Sequence, residues 1–288
     1  MRGCCAVLAL LLFPATGCAP AGSSGSLAEG AVTQPGDPPE HWRIEVLDQR
    51  PHDLDAYTQG LLWRGGVVYE STGSYGSSSL RAWRWSDGEE LARVDLDQTL
   101  FGEGIALLSS GGEPGERLLQ LTWRRGVALV WSLEPLRERG RIRYEGEGWG
   151  LAYDGSDLIM SDGTPSLSFR DPHTLQVRRR LRVTRQGMPL ANLNELELVD
   201  EVLFANLYGS DEIAAIDLAS GSVIAVVDVS GLLTDEEAAA ADVLNGIAFR
   251  PDTGTFLLTG KYWPWVFEVR ILGYDAPPGS RVAASAPR

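Results

Sequence analysis

Five times between Thr58 and Phe249 the chain repeats one short frame: a polar or aromatic residue, then Gly or Glu, then apolar residues. The copies are Thr58-Gln59-Gly60-Leu61-Leu62-Trp63, Gly102-Glu103-Gly104-Ile105-Ala106-Leu107, Gly148-Trp149-Gly150-Leu151-Ala152-Tyr153, Leu193-Asn194-Glu195-Leu196-Glu197-Leu198 and Leu244-Asn245-Gly246-Ile247-Ala248-Phe249. Counted on Gln59, Glu103, Trp149, Asn194 and Asn245, the intervals are 44, 46, 45 and 51 residues, in the range of propeller blades. The frame repeats while the marker changes chemistry. A ring of equivalent strand starts, each with a different side chain, builds one site from five segments.

The first repeat shows the internal grammar. Gly60 to Trp63, a turn at Gly65-Gly66, Val67 to Ser71, Leu80 to Trp85, a turn at Asp87-Gly88 and Leu91 to Leu96 make four short strands with hairpin turns. The last repeat lacks a fourth strand, and His41 to Leu47 is an orphan strand that can fill the gap and leave no sheet edge open. Thr234-Asp235-Glu236-Glu237 is a capping box opening an alanine-rich helical turn, which accounts for the longest interval. The expected fold is therefore all-β, a five-bladed propeller over residues 41–273 with a short helical insertion before the last blade. At 288 residues and 44% apolar the chain can bury that core as one domain.

The ends read differently. Arg2, the apolar run Ala6 to Phe13 and Ala15-Thr16-Gly17-Cys18 make residues 1–18 a secretory signal peptide, too short to span a membrane. The triplet before Cys18 is similar to a lipoprotein cleavage box, so lipidation of Cys18 and export to a periplasmic or extracellular, membrane-anchored position are expected. Cys4 and Cys5 would leave with the leader, and one remaining cysteine permits no intramolecular disulfide. Residues 19–40, rich in Ala, Gly, Ser and Pro, read as a disordered tether, and 274–288 as a disordered tail. A monomer is expected.

A formal charge of −14 with no basic stripe argues against nucleic acid. The three histidines lack metal-ligand spacing, no cysteine falls in the folded region, and no Gly-x-Ser-x-Gly elbow occurs. Carboxylate acid/base chemistry remains, and Glu103 suits it: glycines flank it and an aliphatic strand would draw it into an apolar setting, where a carboxylate holds its proton near neutral pH. Of 25 basic residues, the one lysine is Lys261, in Thr259-Gly260-Lys261-Tyr262, where a compact ammonium pairs with a carbonyl oxygen or carboxylate. Trp123 and Trp149 are placed at the same rim, whereas Trp42, Trp83, Trp85 and Trp131 fall in alternating strand patterns and read as packing residues.

From about Asp53 to Val269 these motifs resemble the plant and bacterial glutaminyl-peptide cyclotransferases, which are five-bladed propellers. The matching segments are Tyr57-Thr58-Gln59-Gly60-Leu61, Tyr69-Glu70-Ser71-Thr72-Gly73, Phe101-Gly102-Glu103-Gly104, Gly148-Trp149-Gly150-Leu151-Ala152, Ser161-Asp162-Gly163-Thr164, Leu193-Asn194-Glu195-Leu196-Glu197, Leu244-Asn245-Gly246-Ile247-Ala248 and Thr259-Gly260-Lys261. The resemblance implies an acyltransferase that converts the N-terminal glutamine of a peptide to pyroglutamate with loss of ammonia and no cofactor required for catalysis. It implies Glu103 as the proton carrier and Gln59, Phe101, Trp123, Trp149, Asn194 and Lys261 as pocket lining. Tyr208 stands where the family often has tryptophan. Lys261, Gln59 and Asn194 are all candidates to stabilise the tetrahedral oxyanion. Two other classes stay open on the residues alone: a metal-dependent lactonase-like or sugar-acting propeller recruiting Glu103, Asp162 and Glu195, and a non-enzymatic binding propeller. Glu70, Asp162 and Glu195 are alternative proton carriers.

Overall fold

The computed structural model describes residues 36–108 and 115–275. The leader, Cys18, the tether up to residue 35 and the tail beyond residue 275 lie outside the described residues. A strand sandwiched between two sheets is covered on both faces, and the inner strands here are buried residue after residue, their polar side chains included. Blade I comprises Thr58–Arg64, Val67–Thr72, Ser79–Arg84 and Glu90–Asp95. Blade II comprises Gly102–Leu108, Arg117–Thr122, Val127–Leu133 and Leu136–Arg143. Blade III comprises Leu151–Tyr153, Leu158–Met160, Ser166–Arg170 and Val177–Arg182. Blade IV comprises Leu193–Val199, Val202–Leu207, Glu212–Asp217 and Val223–Asp228. Blade V has Leu244–Arg250, Thr255–Gly260 and Trp265–Leu272, and its fourth strand is Glu40–Pro51 from the other end of the chain. The fold is a five-bladed β-propeller, and the expected N-terminal closure is present.

That closing strand does more than fill an edge. Its first residues also pair in parallel with the outer strand of blade IV, Glu40 with Ala225 through Trp42 with Val227, so blades IV and V merge into one eight-stranded sheet. The strand begins at Glu40, one residue before the expected boundary of the tether. Tyr274, the first residue of the expected tail, is partly buried and packs against the core, its ring on Trp42, Phe204 and Phe256. The helix Asp235–Ala240 carries the expected capping box, Thr234 and Glu237 each accepting the other's backbone N–H, and Glu237 also accepts from the indole of Trp265.

The core follows from the two-residue period of a strand. Leu61 faces blade V and Leu62 faces blade II, while Ile105 faces blade I and Ala106 faces blade III. Among the described residues this yields five apolar clusters, one at each blade interface. Trp42, Trp83, Trp85 and Trp131 are all buried within them.

The repeated glycines are explained at the neck of the ring, where neighbouring backbones nearly touch. A β-carbon on Gly60 would lie 2.8 Å from the amide of Ile105, one on Gly104 2.5 Å from the carbonyl of Trp149, and one on Gly150 1.9 Å from the carbonyl of Asn194. Each glycine admits the next blade, so the molecule that approaches closely is the protein itself.

Candidate active site

The marker residues face the axis because of bulges. Pairing of the inner with the second strand slips between Thr58 and Gly60, Gly102 and Ile105, Leu193 and Leu196, and Leu244 and Ile247. An extra residue in one strand turns its side chain out of the regular alternation, and Gln59, Glu103, Asn194 and Asn245 occupy those slips. A second tier comes from the residues that follow the second strands: Ser74, Trp123, Tyr208 and Lys261. Backbone bonds tie the tiers together, Trp123 N–H to Phe101 O at 3.0 Å and Lys261 N–H to Val243 O at 3.0 Å among them.

The tiers enclose a cavity of about 500 Å³ lined by Tyr57, Gln59, Ser74, Phe101, Glu103, Trp123, Trp149, Asn194, Tyr208 and Lys261. All eight residues singled out from the sequence lie on this one wall. Tyr57 and Ser74 were not among them. Tyr57 stands edge-on to Phe101 at 6.0 Å, Phe101 packs against Trp123 at 5.5 Å and Trp149 against Tyr208 at 5.9 Å, giving an aromatic lining. Tyr208 is 42% exposed and forms the mouth, whereas Glu103, Lys261 and Asn194 on the floor are buried.

The floor is wired through Gln59. Its side-chain oxygen accepts from Lys261 Nζ at 2.6 Å and from Asn245 Nδ2 at 3.1 Å, which leaves its NH₂ to donate to Glu103. Lys261 Nζ also donates to the Thr58 carbonyl at 3.3 Å and lies 4.8 Å over the Tyr57 ring. Burial raises Glu103 well above the usual carboxylate range, Glu147 adds to the rise, and Lys261 and the Gln59 hydrogen bond oppose it. Burial lowers Lys261 to about 8 against the pull of Glu103, Asp242 and Glu195. Asn194 lines the cavity, and its Oδ1 is buried with no hydrogen-bond partner among the described residues.

The other acids serve different ends. Burial alone would raise Glu70, but Arg81 and His52, with hydrogen bonds from His52 and Thr58, hold it below the usual carboxylate range. Asp162 caps its own turn by accepting from the N–H and hydroxyl of Thr164. Glu195 is fully buried and receives the backbone N–H of Ile247 at 2.9 Å and of Leu61 at 3.4 Å, joining blades V and I to blade IV. Glu103, Asp162 and Glu195 do not converge, and among the described residues no three His, Cys, Asp or Glu side chains gather as a metal site would require.

The family model described as glutamine cyclotransferase matches residues 18–271. The chain belongs to the glutamine cyclotransferase family. It is 37% identical over 244 residues to a glutaminyl-peptide cyclotransferase of Arabidopsis thaliana, covering 83% of this chain and 74% of the relative. The crystal structure of Myxococcus xanthus glutaminyl cyclase superimposes with a TM-score of 0.71 at 36% identity, over 82% of this chain and all of that one. Within this cyclotransferase two residues outside the lining matter to it. Asn245 was visible as the fifth frame marker and fixes the Gln59 amide. Glu147 receives the indole N–H of both Trp123 and Trp149, and only its place two residues before Trp149 hinted at that.

Proposed function

We propose that this enzyme cyclises N-terminal glutamine of peptides to pyroglutamate, releasing ammonia, with Glu103 carrying the proton. The observation that supports it best is the buried Glu103 carboxyl joined through the Gln59 amide to Lys261 on the floor of an aromatic-lined pocket. The substrate's α-ammonium, with a reference pKa near 8, gives a proton to the Glu103 carboxylate. The freed amine attacks the side-chain amide carbon, forming the ring C–N bond. Glu103 then protonates the departing amide nitrogen and takes the second proton of the ring nitrogen, so the C–N bond breaks and ammonia leaves; passing that proton to the ammonia, which departs as ammonium, returns Glu103 to the carboxylate. Asn194 Oδ1 is suited to accept an N–H of the entering amine. Lys261 has used two of its three N–H donors, and the third is suited to the developing oxyanion. Trp123, Trp149, Phe101 and Tyr208 exclude water and position the substrate.

The same reading holds that the chain acts without a metal, as a monomer, after export with a lipid on Cys18; the leader sequence supports the export. Ammonia release from a Gln-initiated peptide tests the reaction. Release unaffected by chelator is expected, and a folded protein that releases none refutes the assignment.

A further inference from the structure

We propose that Glu147 is a positioning residue for this reaction, a latch at the pocket mouth that makes the walls Trp123 and Trp149 a single rigid unit. The proposal rests on reading the cavity as the substrate pocket. An indole has one polar donor, and here both donors meet one atom: Glu147 Oε2 accepts from Trp123 Nε1 at 2.9 Å and from Trp149 Nε1 at 3.3 Å. The other oxygen, Oε1, accepts from Arg124 Nε at 2.9 Å, and that guanidinium lies 3.8 Å over the Trp123 ring. Trp123 comes from the loop after the second strand of blade II and Trp149 from the entry to blade III, so the carboxylate bridges two blades.

The far side of each ring is already fixed. Trp149 lies against Gly163, where a β-carbon would stand 2.7 Å from the ring, and Trp123 packs on Phe101. Glu147 therefore removes the freedom that remains, rotation of the indoles about their own stems. Its side chain is 39% exposed and outside the apolar clusters, so the fold does not need it. A rim carboxylate is also a fixed negative charge beside Glu103, and it opposes ionisation of that acid.

The test uses Glu147→Ala and Glu147→Gln in the whole protein. With both indoles released in Glu147→Ala, KM for a Gln-initiated peptide should rise on the order of tenfold, the cost of ordering two side chains at binding, while kcat falls less; Glu147→Gln, whose amide oxygen can still take both indoles, should keep KM closer to the parent value. Near-ultraviolet circular dichroism of the indoles should weaken in Glu147→Ala, and in Glu147→Gln, which loses the charge, the acid limb of kcat/KM should move to lower pH. Unchanged KM and spectrum in Glu147→Ala would make Glu147 a surface ion pair and overturn the proposal. So would lost kcat at constant KM, which would make Glu147 a proton carrier. The spectral measurement needs no turnover, so the latch is judged separately if the parent protein fails to release ammonia. Glu147→Gln keeps shape and one acceptor oxygen, which guards against a variant that does not fold.

Discussion

Lys261 Nζ and Gln59 Oε1 are 2.6 Å apart, and the opposite end of the same amide donates to Glu103. The ammonium thus orients the amide that faces the acid, and the amide stands between the two groups as they act on each other's ionisation. Replacing Lys261 by Arg keeps the charge but puts a planar fork where a point donor stood. Turnover at neutral pH should fall on the order of a hundredfold, as a misplacement of about 1 Å costs. Lys261 titrates at about 8, so the parent enzyme should lose activity above that pH, and the variant should keep its residual rate there. A pH–rate profile of both proteins checks this; equal rates would place Lys261 outside the reacting centre.

Glu103→Gln keeps the shape and removes the proton carrier. Turnover should drop by about 10²- to 10⁴-fold while the peptide still binds to the aromatic walls. The melting temperature should hold or rise, since a buried carboxyl costs more than its amide. Calorimetric titration and a progress curve give both answers. Binding lost in a folded variant would make Glu103 an anchor for the α-ammonium.

Gly150→Ala tests the neck of the ring. The added carbon would meet the Asn194 carbonyl at 1.9 Å, and backbone cannot step aside as a side chain does. We expect a loss of about 3 kcal/mol or more. Gly140 has nothing within 4 Å of its β-position, so Gly140→Ala should stay within about 0.5 kcal/mol. Denaturant melts of the two variants decide it.

Burial raises Glu197 to about 8, against one hydrogen bond from Phe249 N–H. The folded state thus holds a proton that the unfolded chain releases near 4.5. The resulting stabilisation is complete below that value and is lost as pH rises through about 8. Melting temperature should therefore decline between about pH 5 and pH 8, and Glu197→Gln should flatten that decline. A slope unchanged in the variant would assign it to Glu195 or Glu103, both also raised by burial.

Much of the site was legible because its members are local to the repeat: Gln59, Glu103, Trp149 and Asn194 occupy one frame position, and Trp123 and Lys261 another. The purpose of the glycines was not legible. Gly60 and Gly150 are explained by backbone from the next blade, which no local pattern displays. The bridge from Glu147 to Trp123 joins residues 24 apart on two blades, and its rim position has no periodicity to betray it. Tyr274 was misplaced because a lone aromatic before Asp275-Ala276-Pro277 resembles a tail until Trp42 and Phe256 are seen around it.

The closing strand also sets when the protein can finish folding during synthesis. Glu45 pairs with Arg270 across 225 residues, so the first strand among the described residues waits for the last of them. Blades I to III can assemble on local hairpins as they emerge. Blade V cannot: its fourth strand is Glu40–Pro51, whose first residues also pair in parallel with the outer strand of blade IV. Until Trp265–Leu272 has emerged, Glu40–Pro51 lacks its antiparallel partner and keeps an open strand edge. Ring closure is thus the last step that the chain order allows, with 213 residues lying between Pro51 and Trp265.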